Sequence, residues 1–167
     1  MKFWNKVLLI LFAVFLTLPV FSENIVFSCM QNPDAYENSN ETTVKFEELL
    51  FDCFFESGLI ASNVPLLSIA EANYNDINIV KKTLESPTEY VLLIYFSYAK
   101  EPVYSSKDKA ELPDLKSVSW ILLDYQTEKT IYDKNIKVKT AKSEKDVYKQ
   151  LKKIAKNISG KVSKKIH

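Results

Sequence analysis

Few side chains in this sequence could do chemistry, and their types limit what that chemistry could be. Histidine occurs once, at position 167, which excludes Ser-His-Asp and Cys-His catalysis and nearly every histidine-based metal site. All 22 basic residues are lysine, so bidentate guanidinium recognition of phosphate or carboxylate is absent. Only two glycines occur, Gly58 and Gly160, which excludes glycine-rich phosphate loops and nucleophile elbows. Carboxylates, two cysteines and lysines remain, and no residue set calls for a cofactor or a metal. Glu48 and Asp52 stand four apart on a helical stretch that also carries Glu47 and Glu56. A hydrolase would need such a pair to flank a substrate, with one member made a proton donor by burial; the alternative is a wet helix face. Cys29 and Cys53 permit one disulfide in an oxidising compartment, or two buried thiols acting as small hydrophobes.

Charge is strongly polarised along the chain. Residues 23–99 hold 3 lysines and 12 acids, whereas residues 100–167 hold 17 lysines and 9 acids. From Lys134 onward 12 lysines face only Glu144 and Asp146. Lys145, Lys149, Lys152, Lys153 and Lys156 all lie off the apolar stripe of the last helical pattern, so they could form one positive surface. Such a surface would attract an acidic envelope protein, an anionic envelope polymer or lipid headgroups, most strongly at low salt; the alternative is a solvated face that keeps the protein soluble. Nucleic acid is not an expected partner, because stacking aromatics are not interleaved with these lysines.

The start of the chain has the order of a signal peptide. Lys2 and Lys6 precede an apolar run over residues 7–16, Pro19 breaks it, and Ser22 supplies a small residue. Cleavage is expected between Ser22 and Glu23, sending residues 23–167 to the periplasm or the extracellular space. Membrane contact is expected only through an uncleaved leader or through lipidation at Cys29, which follows Val26-Phe27-Ser28. An aliphatic strand starting near residue 24 is the preferred reading of that segment.

The mature stretch reads as one α+β domain, since 47% hydrophobic and 26% charged residues suit a single core and no linker divides the chain. A strand over residues 24–29 precedes a helix over 43–58, with Thr42 or Thr43 as cap, Val44 on the core face and Gly58 as a left-handed stop. A short strand over 59–62 leads to a helix opened by Pro65 and running through residue 72, and Asp76 caps another over 77–85. Residues 89–98 are apolar on both sides and form the expected central strand. A polar segment over 100–113 leads to a hairpin, 116–125 with 130–139, and a final amphipathic helix begins near Ser143. The expected order is β-α-β-α-α-β-β-β-α, with a mixed or antiparallel sheet of about five strands covered by helices.

This order, the strand Glu89-Tyr90-Val91-Leu92-Leu93-Ile94 and the stretch Trp120-Ile121-Leu122-Leu123-Asp124-Tyr125-Gln126-Thr127-Glu128-Lys129-Thr130-Ile131-Tyr132 resemble a group of bacterial periplasmic domains. The group comprises relatives of curli-secretion lipoproteins, penicillin-binding-protein activator lipoproteins and the N-terminal domain of the Tol-system β-propeller protein. Asp124-Tyr125-Gln126-Thr127 matches the hairpin motif of those domains, with Glu128 standing where they carry glycine. The resemblance implies an exported, non-catalytic envelope module that binds proteins or assembles, and it transfers no active-site residue. The competing expectations are a small periplasmic hydrolase using paired carboxylates and a binder of an apolar small molecule held in a closed cavity.

Overall fold

The computed structural model describes residues 24–84 and 88–166. The expected leader and its cleavage site at Ser22 and Glu23 lie outside the described residues. The expected α+β class is what forms. Strands β1 (Asn24–Gln31), β2 (Ile60–Ser68), β3 (Tyr90–Tyr98), β6 (Leu115–Asp124) and β7 (Thr130–Lys137) make one mixed sheet in the order β2-β1-β3-β6-β7. β1 runs parallel to β2 and β3, while β6 runs antiparallel to both β3 and β7. β4 (Val103–Ser105) and β5 (Ala110–Leu112) form a small separate hairpin inside the expected polar segment.

Helices α1 (Ser39–Glu56) and α3 (Glu144–Ile166) lie over one face of the sheet. They close a core containing Phe27, Cys29, Phe46, Leu50, Phe54, Leu92, Ile94, Trp120, Leu151 and Ile158. The other face buries Val26, Met30, Val91, Leu93 and Tyr95 beneath the β2–β3 connection, whose short helix α2 (Ile77–Lys81) contributes Ile77 and Val80. Strand β3 therefore meets apolar partners on both sides. Its residues 91–96 are all buried, as an uninterrupted apolar run requires.

Three local differences from the sequence reading have physical causes. Residues 63–68 continue β2 instead of opening a helix, and only Glu71–Asn73 makes one 3-10 turn. Pro65 fits because β2 is an edge strand whose ladder to β1 shifts register between Ser28 and Met30, so the missing proline N–H leaves no partner wanting. Helix α1 starts at Ser39, four residues early. Its threonines are interior: Thr43 Oγ1 bonds Gln31 Oε1 at 3.0 Å and lies 3.0 Å from Tyr98 Oη. Val44, placed by periodicity on the core face, is 43% exposed. The helix expected over 77–85 stops at Lys81, while three other stops and starts hold. Gly58 has φ +73 after α1, Asp76 Oδ1 accepts from Asn78 N at 2.9 Å, and Ser143 Oγ accepts from Asp146 N at 3.2 Å before α3.

Candidate functional site

Helices α1 and α3 run side by side in the same direction, and the pairing fixes where the charges go. Ser159 Oγ donates to Cys53 O at 3.0 Å and lies 3.1 Å from Ser57 Oγ, which ties the middle of α3 to the end of α1. Nearer their starts the helices border an open groove of about 680 Å³, whose α1 side carries Glu41, Lys45, Glu48 and Asp52 and whose α3 side carries Glu144, Lys145 and Tyr148. Glu111 from β5 joins them. The expected carboxylate pair Glu48 and Asp52 thus sits in a solvated, mostly acidic trough. All five of its carboxylates are exposed.

Two other carboxylates are buried, Asp114, which is taken up by Lys116 and Thr140, and Glu47. Glu47 turns toward β2, where Asn63 Nδ2 donates to its Oε2 at 3.0 Å, and Oε1 is buried without a hydrogen-bond partner among the described residues. Burial pushes its pKa up, opposed by the neighbouring Cys29 thiol and the Asn63 amide. Periodicity placed Glu47 on a wet acidic side. Only its contact with an edge-strand asparagine, which spacing cannot show, marks it as interior. Glu47 faces β2 and not the trough, and Asp114 does not line the trough either, so among the described residues no buried carboxylate joins Glu48 and Asp52 there.

Cys29 and Cys53 are both free, buried thiols in the core beneath α1 and α3. Burial, followed by the charge of Glu47, drives the pKa of the Cys29 thiol well above its ordinary value. Cys53 is also raised, by burial first and then by Glu56 and Asp52, against the opposing pull of Lys156 and Lys152. Neither sulfur is poised as a thiolate nucleophile. Cys29 sits inside β1, the strand between β2 and β3, so a chain cut before it for lipidation would lose most of that strand. Among the described residues no cluster of three or more His, Cys, Asp or Glu side chains could hold a metal, and no helix is long and apolar enough to cross a membrane.

The five candidate lysines are all exposed, and among the described residues none makes an ion pair within 4.0 Å. They do not form one uniform face. Lys145 lines the acidic trough, and Lys152 and Lys156 lie close enough to Cys53 to act on it together with Asp52 and Glu56. Lys153 points the other way, into an open groove of about 470 Å³ between α3 and the edge strand β7. Lys134, Lys137 and Lys139 also line this second groove, Ile136, Val138 and Ile154 give it an apolar part, and among the described residues no carboxylate lines it. Sequence reading had the α3 lysines but missed their grouping with those of β7. The alternation of strand residues 134, 136 and 138 was the available signal, and it needed the docking of α3 to gain meaning. The stacked pair Trp120 and Tyr132, with ring centroids 4.9 Å apart, belongs to the packing between β6 and β7.

A family model described as "Uncharacterised protein" matches residues 24–167. No curated protein matches the chain. Among solved structures, a Xanthomonas campestris protein of the DUF330 family is similar with a TM-score of 0.50 at 11% identity, over 86% of this chain and 87% of that one. TolB from Acinetobacter baumannii is similar with a TM-score of 0.50 at 12% identity, over 89% of this chain but only 29% of its own. A lipoprotein of Neisseria meningitidis gives a TM-score of 0.46 at 11% identity over 85% and 99% of the two chains. At these identities the likeness is one of fold.

Proposed function

We propose, for a chain that belongs to this uncharacterised protein family through residues 24–167, a role as an exported envelope module that works by binding and not by catalysis. The observation that carries the reading is the groove between β7 and α3, where four lysines gather with no carboxylate among the lining residues. Opposite charge brought into such a groove meets no internal neutralisation, and its attraction is weakened only by salt. The partner is an acidic envelope protein or an anionic envelope polymer. The signal-peptide order of residues 1–22 and the resemblance to bacterial envelope domains support the compartment.

The acidic trough between α1 and α3 favours binding over hydrolysis. Its carboxylates are open to water, and of the two buried carboxylates Glu47 turns to β2 while Asp114 is taken up by Lys116 and Thr140, which argues against the unequal pair that general acid catalysis needs. Both sheet faces are filled by side chains, and the grooves described are open to solvent, which argues against a closed site for an apolar molecule.

Cosedimentation of residues 24–167 with isolated cell envelopes tests the reading. Binding at low ionic strength, release by salt and loss on Lys137→Glu with Lys153→Glu are expected. Binding that ignores both salt and those substitutions would overturn it.

A further inference from the structure

Strand β7 borders the basic groove and among the described residues pairs with β6 alone, which leaves one of its two hydrogen-bonding edges open there. Which residues face that edge follows from the ladder. Val138 N donates to Lys116 O at 2.9 Å, and antiparallel pairs alternate between bonded and non-bonded residues. Ile136 and Lys134 therefore turn their backbone groups toward β6, while Lys137, Asn135 and Asp133 turn theirs outward. At the far end Gln150 Nε2 already donates to Lys139 O, the next outward carbonyl, at 2.8 Å. The free stretch is thus about three outward residues long, enough for a partner strand of about six.

We infer that β7 accepts an added β-strand from an acidic peptide segment, with the acidic side chains lying in the groove formed with α3. This rests on the reading of that groove as a binding surface and names the form of its partner. The other edge strand, β2, is a poorer template, because Pro65 lacks a donor and the strand carries a bulge. Lysines on an exposed edge normally deter pairing, and here they deter a second copy of β7, which would set lysine against lysine. An acidic strand meets the reverse situation. Lys134 and Ile136 share a face with the buried Trp120 and Val118 they pair with, so this face is the one turned to α3 and Lys153. Asp133, Asn135 and Lys137 alternate to the opposite face, the last two still bordering the groove along the open edge, and a second row of acids there would meet Asp133. The fitting partner therefore alternates acidic residues on the groove side with apolar or neutral ones on the other.

The test uses residues 24–167 with three probes: a capped hexapeptide alternating Val and Glu, the same peptide N-methylated at every second residue, and dextran sulfate. The inference expects the plain peptide to bind with salt-sensitive affinity and N-methylation to weaken it at least tenfold. Asn135→Pro, which deletes an outward N–H and leaves the ladder to β6 intact, should weaken the plain peptide by a similar factor, whereas Asn135→Ala should not. If dextran sulfate binds but N-methylation and Asn135→Pro change nothing, strand addition is refuted while the anion-binding reading stands. If neither probe binds, both fall. The N-methylated peptide keeps the outcome readable even if the proline variant folds poorly.

Discussion

The side-chain amide of Asn32 takes up both backbone groups of Tyr98: Tyr98 N donates to its Oδ1 at 2.8 Å, and its Nδ2 donates to Tyr98 O at 3.1 Å. β1 ends at Gln31, paired with Phe96, while β3 runs on to Tyr98. Asn32 thus prolongs the β1–β3 ladder with a side chain after the backbone has turned away. Asn32→Ala should leave a partly buried donor and acceptor unpaired and lower stability by about 2–3 kcal/mol in urea unfolding. A loss under ~0.5 kcal/mol would show that water replaces the amide.

Glu47 should make stability depend on pH in an unusual direction. Its pKa is raised in the folded protein, chiefly by burial, so between the ordinary carboxylate value near ~4.3 and the raised folded value the folded state holds more protons than the unfolded one. The contribution of Glu47 is therefore present at low pH and is lost as pH rises through that window. Glu47→Gln keeps an acceptor for Asn63 and removes the charge. It should flatten this component of the stability profile and be no less stable than the parent at pH 7. A Gln variant with an unchanged pH profile would contradict the assignment.

Glu128 occupies the turn between β6 and β7 with φ +57, the left-handed region that favours glycine. This is the position where the resembling domains carry glycine. Asp124 Oδ1 holds the turn by accepting from Thr127 N at 2.7 Å and Thr127 Oγ1 at 2.9 Å, while the Glu128 carboxylate pairs with Lys81 across the surface. Exposed pairs contribute little, so relief of backbone strain should win. Glu128→Gly is expected to raise stability by about 1 kcal/mol, measured by thermal unfolding. A lower Tm would mean that the ion pair outweighs the strain.

The thiols offer a direct count. Cys29 is fully buried and Cys53 is 7% exposed, and both are free. A thiol reagent should find neither in the folded protein and both after unfolding without reductant. Recovery of none until a reductant is added would instead place a disulfide between them.

Much of this architecture could be read from residue patterns, and the misses have a common cause. The apolar run of β3, the left-handed stop at Gly58 and the cap at Asp76 are signals carried by a few adjacent residues, and each appears where expected. Pro65 and Thr43 misled because their roles depend on distant partners. Pro65 is accommodated by an edge strand and a bulge opposite β1, and Thr43 is held inside the core by Gln31 and Tyr98. The basic surface was half legible for the same reason. The lysines of α3 announce themselves by helical spacing, but helix packing sends Lys145, Lys152 and Lys156 toward acids and sends only Lys153 into the groove beside β7.

The central claim is that binding occurs at the groove between β7 and α3. Backbone amide NMR of residues 24–167, titrated with the alternating Val–Glu peptide at low ionic strength, tests it most directly. The account predicts shifts concentrated on residues 133–139 and 150–157, fading as salt is added. Shifts confined to the trough between α1 and α3, or none along β7, would contradict it.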